Sequence, residues 1–409
     1  MTTGDETGRE VDRAKSQVAT TTTRATFLEL FFDLVLVFAL TRITARSFED
    51  LALEPGGTTG WAPLTGGGKT LLLLLALYVV WQGTAWTASR YSPSRFGLQL
   101  VVMIALVGSM VMGVAIPRAF HESGLAFAIA YVVAQVSRPL ILLITEGQQN
   151  RQLKQRMLVV FCVTAVLWLV GAFLPTTPRI VLWAVALGIE YLEGRTGWPV
   201  PRMGRSTVSR WEIAGEHLAE RYQQFFLVAL GETILVAGFS YSARPFSLKS
   251  TAAFAAALLT SILIWRIYFQ RAGQILGEAV MKAKHPAAIG QSAADTHMAM
   301  LVGISAIAIG YQLTIEHPLD RAESAWVALI IVGPAVFLAG RARFEYEVFG
   351  RVSPSRWIAI LVLLGSVALF LHHPPLIASA VAAAVLAAVA VADALRARGK
   401  PPEEAAPPF

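Results

Sequence analysis

Twelve apolar runs of 17–27 residues divide the chain, at about 27–45, 70–89, 97–116, 121–145, 157–174, 178–194, 222–241, 249–271, 289–315, 323–339, 355–371 and 375–395. A helix rises about 1.5 Å per residue and the hydrocarbon core of a bilayer is about 30 Å thick, so a run of about 20 residues is one crossing. The pattern predicts an all-α, polytopic transmembrane helix bundle of about twelve helices. Only 15% of the residues are charged and 55% are hydrophobic, with a mean hydropathy of +0.57. Soluble domains carry about 25% charged residues, and disordered chains are poor in apolar ones, so both classes are excluded.

Charge sets the expected orientation. With the N-terminus placed inside, 24 of the 34 Lys and Arg fall on inner segments, seven on outer loops and three within spans. This positive-inside bias predicts that both termini are cytoplasmic. The excess of +7 then reflects loops beside anionic lipid rather than a nucleic-acid surface.

The longest inner connection, 195–221, splits the chain into six helices and six, 26–194 and 222–395. Residues 1–25 are polar and Thr-rich and read as a disordered cytoplasmic tail without the apolar core of a signal peptide, and 396–409 as a second cytoplasmic tail. Within the connection, Ser206 or Thr207 is a candidate N-cap, and Val208, Trp211, Ala214, Leu218, Tyr222 and Phe225 recur at helical spacing. They predict an interfacial helix running into the seventh span. An internal duplication has only short support, Phe31-Phe32 against Phe225-Phe226 and Trp81-Gln82 against Trp265-Arg266. The single cysteine, Cys162, lies in an apolar run and excludes an intrachain disulfide.

Ionisable side chains inside a bilayer are costly and mark function or structural pairing. Glu29 and Asp33 are four apart and share one helix face. By depth they belong with Arg138, Arg266, Glu190, Glu193, Asp295 and His297 in the inner part of the bundle, while Glu232 lies near the midplane of its helix. His217, Arg221 and Glu232 fall within about 60° on a helical wheel at 100° per residue. The convergence predicts an acid-lined cavity toward the cytoplasm. Its pathway or coupling candidates are Glu29, Asp33, Glu232, Asp295, His297, His217 and Arg221; Arg138, Arg266 and Glu190 are candidates for structural ion pairs. A surface charge cluster is the competing reading for His217, Glu220 and Arg221.

There is no HExxH, Walker loop or GxSxG, and the TGGGK stretch falls in an expected outer loop, so no catalytic residue, metal site or cofactor is assigned. Membrane lipids are the expected partners, with an ion or small molecule as substrate. Nothing in the sequence specifies an oligomer.

Two motifs carry a resemblance. ELFFDLV at 29–35 and ERYQQFFLVALGE at 220–232 resemble the bacterial low temperature requirement A family, and the likeness extends over about residues 24–395. The resemblance implies a multi-pass bacterial plasma-membrane protein linked by name to growth in the cold, and brings no catalytic residues with it. The first helix also has a distant likeness to the FSD-bearing helix of two-repeat potassium channels, with Phe32 in place of the Ser. Three functions follow as expectations: proton-coupled transport of an ion or small solute, a membrane-embedded enzyme acting on lipid with Glu232, Asp33 and His217 as acid and base, or a membrane sensor or scaffold.

Overall fold

Every apolar run lies on a helix. A computed structural model describes residues 25–53, 61–148, 150–206, 214–371, 373–401 and 403–408. In chain order the long helices are α1 (Phe27–Phe48), α2 (Ala62–Ala88), α3 (Phe96–Ala115), α4 (Gly124–Thr145), α5 (Arg151–Ala172) and α6 (Thr176–Thr196), then α7 (Gly215–Ser242) and α8 (Leu248–Phe269). A short helix α9 (Leu276–Lys282) precedes α10 (Pro286–Glu316), α11 (Ser324–Phe349), α12 (Pro354–Phe370) and α13 (Pro375–Ala397). Among the described residues, nine of these are long and apolar enough to cross a membrane. The nine leave out α1 and α6, whose apolar runs are interrupted by charges, and α12, which has 17 residues.

Several boundaries move because helices outlast their apolar residues. TGGGK lies inside α2, which starts at Ala62 rather than in an outer loop. Helix α11 continues through Phe349, ten residues beyond the expected end, and carries Arg341, Glu345 and Glu347 into the bundle, with Arg343 exposed. Helix α7 begins at Gly215, so His217, Glu220 and Arg221 belong to it and not to a linker. Thr207, Val208 and Trp211 of the expected interfacial helix lie outside the described residues, as do residues 1–24; Leu218, Tyr222 and Phe225 of its stripe are buried in the bundle.

Helix α1 packs on α3 and α7, α3 on α4, α4 on α5, and α5 on α6; α7 packs on α10, α10 on α11, α11 on α12, and α12 on α13. In lipid, close approach of small residues drives such contacts. At the α10/α11 crossing Gly303 has no room for a side chain: a Cβ there would stand 2.5 Å from the backbone nitrogen of Phe337 and 2.9 Å from the carbonyl oxygen of Gly333.

One end of the bundle gathers the N-termini of α1, α7 and α10 with the C-termini of α2, α6 and α8. It is tied together by bonds from Ala25 N to Glu220 (3.0 Å), Ala214 N to Ser89 O (2.9 Å) and Gln291 to Gly194 O (3.0 Å). Here it is called the basic end. The C-terminal tail lies on it: Glu403 pairs with Arg271 and Arg351, and Ala406 N donates to Val348 O at 2.9 Å.

Candidate functional site

The face predicted for α7 exists, and it meets α1. Thr26 caps α1 through a capping box, accepting from Glu29 N (3.2 Å) while Glu29 accepts from Thr26 N (2.8 Å), which holds the Glu29 carboxylate at the helix start. His217 Nε2 stands 3.4 Å from that carboxylate. One turn deeper, Arg221 grips Asp33 with both terminal nitrogens, at 2.7 and 2.8 Å. About three turns beyond, Thr44 donates to Glu232. All three pairings join residues 188 apart in sequence, so α1 and α7 run parallel and in register.

Burial sharpens this arrangement. Arg221 and Glu232 are fully buried and Asp33 is 2% exposed. Trp81 of α2 closes the ion pair, donating Nε1 to Asp33 Oδ1 at 3.0 Å and stacking on Phe225 at 4.0 Å between ring centres. A bidentate Arg–carboxylate pair with a further donor compensates the desolvation that makes isolated buried charges untenable.

His217 bridges Ser89 and Glu29. The Ser89 hydroxyl lies 2.9 Å from Ala85 O and 3.0 Å from His217 Nδ1. The other ring nitrogen faces Glu29, a contact that is attractive when a proton lies between imidazole and carboxylate. Glu29 Oε1 has no hydrogen-bond partner among the described residues, and Arg221 Nε lies 3.6 Å from it.

The acids do not share one cavity. Arg221 and Glu232 are eleven residues apart on α7, about 16 Å along the helix. Leu36, Leu40, Phe225 and Ala229, all buried, belong to the stretches of α1 and α7 that separate these two layers. Among the described residues Glu232 accepts only from Thr44, and its Oε2 has no hydrogen-bond partner. Asp33, His217 and Glu232 therefore do not converge on a common substrate, as the enzyme reading would need.

The remaining candidates divide. Asp295 faces α6, where Arg195 pairs with it and the Tyr191 hydroxyl donates to it at 3.2 Å. His297, two residues on and on the opposite side of α10, is enclosed by bundle groups: its Nδ1 is 2.7 Å from Ala293 O, its Nε2 is 2.8 Å from the Tyr268 hydroxyl, and its ring stacks on Tyr222. Glu190 is buried by neutral donors, Tyr131, Thr164 (2.7 Å) and Gln135 (3.1 Å). Arg138 is 4% exposed and forms no ion pair among the described residues; its guanidinium lies over Phe161. Arg266 is exposed on the outside of α8, so it is not the buried structural pair its depth suggested. Neighbours Ile264, Ile267 and Tyr268 take the inward face and leave 266 outside.

A second ionic network went unpredicted. Arg356 binds Asp393 at 2.5 Å and lies 3.5 Å from Glu345, with Arg356 and Asp393 fully buried, while Arg341 donates to Ile267 O at 2.9 Å. Asp393 interrupts an otherwise apolar Ala-rich run, and that interruption was the available signal.

A bundle of apolar helices with charged pairs sealed inside defines a multi-pass membrane protein. The bacterial low temperature requirement A protein (LtrA) family matches residues 24–391, and the chain belongs to that family. It is also similar to an uncharacterized protein of Rhizobium meliloti (strain 1021), with 31% identity over 339 residues, covering 81% of this chain and 79% of that protein.

Proposed function

We propose that this protein is a proton-coupled transporter of the bacterial plasma membrane, moving an ion or small solute, with the basic end and both termini in the cytoplasm and twelve helices crossing as two sets of six. The observation that carries the reading is Glu232: a fully buried carboxylate on a membrane helix, with one oxygen bonded to Thr44 and the other unpartnered among the described residues. Such a group is expensive unless it exchanges a proton or a cation. His217 and Glu29, sharing a proton at the basic end, supply the second station, and the Asp33–Arg221 pair holds the two helices together between them.

The packing supports the two sets. In the first, helices pack 1 on 3, 3 on 4, 4 on 5 and 5 on 6; in the second, counting α7, α8, α10, α11, α12 and α13, the same neighbours meet. Parallel α1 and α7 are what a duplication about an axis along the membrane normal requires. Movement of α7 against α1 opens the apolar stretch between the two proton stations.

The test is proton flux in proteoliposomes enclosing a pH-sensitive dye, under an imposed potential and with common cations and small solutes supplied. Wild type dissipates the gradient faster than empty vesicles, and Glu232→Gln reduces the rate to the empty-vesicle level. Equal rates for wild type and Glu232→Gln under every condition overturn the proposal.

A further inference from the structure

A second polar site lies outside the α1/α7 layer, in a cavity of about 130 Å³ bounded by α2, α4, α5, α6 and α10. That volume holds a few water molecules or one small anion. Arg138 lines it, 96% buried, yet its Nε has no hydrogen-bond partner and the side chain has no ion pair among the described residues. A buried guanidinium with an unmet donor and no ion pair is strongly disfavoured, so its place in the cavity favours a counter-charge.

No carboxylate among the described residues forms an ion pair with it, and the acids nearby are engaged by other groups. Glu190 is held by Tyr131, Thr164 and Gln135. Asp295 is taken by Arg195 and Tyr191. Arg90 also lines the cavity. The walls are aromatic, with Arg138 over Phe161 at 5.3 Å and Arg90 over Trp86 at 5.6 Å, and aromatic faces orient a guanidinium without neutralising it. Gly83 makes the arrangement possible, since a Cβ at that position would stand 1.5 Å from Arg138 Nη1.

We propose that this cavity binds a small oxyanion, a carboxylate or phosphate group, held by the planar fork of Arg138 and admitted past the Arg195–Asp295 pair, which is partly exposed. The fork geometry of a guanidinium matches two oxygens of one such group and does not match a halide. This site stands apart from the proton stations, and its occupancy does not depend on whether protons move.

Inorganic phosphate and acetate are titrated into the purified protein by calorimetry, with chloride as the control, and the same protein is compared in nanodiscs of phosphatidylcholine with and without phosphatidylglycerol. Saturable binding of phosphate or acetate at one site, weakened about tenfold or more by Arg138→Gln, is the expected result. Gly83→Ala displaces the flexible end of Arg138 without disturbing backbone and weakens binding likewise. Wild type alone gives a further measure, protection of Arg138 from phenylglyoxal, read by peptide mass spectrometry. Protection by free phosphate assigns a soluble ligand; protection only in phosphatidylglycerol nanodiscs assigns a lipid headgroup, the same chemistry from another source. Binding no stronger than chloride, or unchanged in both variants with no protection in any arm, overturns the proposal.

Discussion

Breaking the Asp33–Arg221 pair from each side in turn should give unequal losses. Arg221→Met leaves Asp33 buried, 2% exposed, with Trp81 Nε1 at 3.0 Å as its remaining donor. Removing one partner of a buried pair costs about 3–5 kcal/mol, so about 4 kcal/mol is expected. Asp33→Leu strands Arg221 less completely, because Gln224 at 2.9 Å and Glu29 at 3.6 Å remain, and about 2 kcal/mol is expected. The double variant removes both charges from a site already packed by Trp81 and Phe225, and should lie within about 1 kcal/mol of wild type rather than at the sum of about 6 kcal/mol. Unfolding by SDS in mixed micelles, followed by tryptophan fluorescence, measures all three. A loss below about 1 kcal/mol for Arg221→Met, or a double variant that equals the sum, would refute a mutually compensating buried pair.

Three other perturbations separate structural from functional groups. Gly303→Leu drives a side chain into the backbone of α11 and should destabilise by about 2 kcal/mol or more in the same assay, with Gly365→Leu, whose Cβ position is open, as the silent control. His297→Ala leaves the buried Tyr268 hydroxyl without its acceptor, lowering stability by about 1–3 kcal/mol while proton flux per folded molecule stays at the wild-type rate. The tail has a pH window: its bond to Lys282 holds the Glu278 carboxyl below the usual carboxylate range, and the same contact, with Glu404, raises Lys282 above the usual lysine value. Tail docking through Glu278 is present above the ordinary carboxylate value and lost as pH falls through the lowered one; docking through Lys282 is present below the ordinary lysine value and lost as pH rises through the raised one. Limited proteolysis after residue 398 should be slowest between these limits and faster beyond either, with high salt removing the difference.

Much of the bundle was legible because apolar length is a direct physical requirement of a bilayer. The α7 face of His217, Arg221 and Glu232 was legible too, since helical periodicity is local. Its partners were not: nothing local says that residues 188 positions away on α1 lie opposite. Counting Arg341 and Arg356 as loop charges hid them; they are buried because α11 runs on past its last apolar run and because α12 and α13 bring Asp393 to meet Arg356. Asp295 and His297 shared a depth but stand about 200° apart on the helix, so depth grouped what periodicity divides. Arg138 failed as a structural pair for the reverse reason: each nearby acid is already occupied, a fact that only the assembled donors Tyr131, Thr164 and Arg195 reveal.

The central claim is that Glu232 takes up and releases a proton inside the bundle. Infrared difference spectroscopy of the reconstituted protein across a pH titration tests it most directly. A protonated carboxyl band that appears and disappears with pH in wild type and is missing in Glu232→Gln is the predicted result; a spectrum in which Glu232→Gln and wild type show the same carboxyl bands at every pH contradicts it.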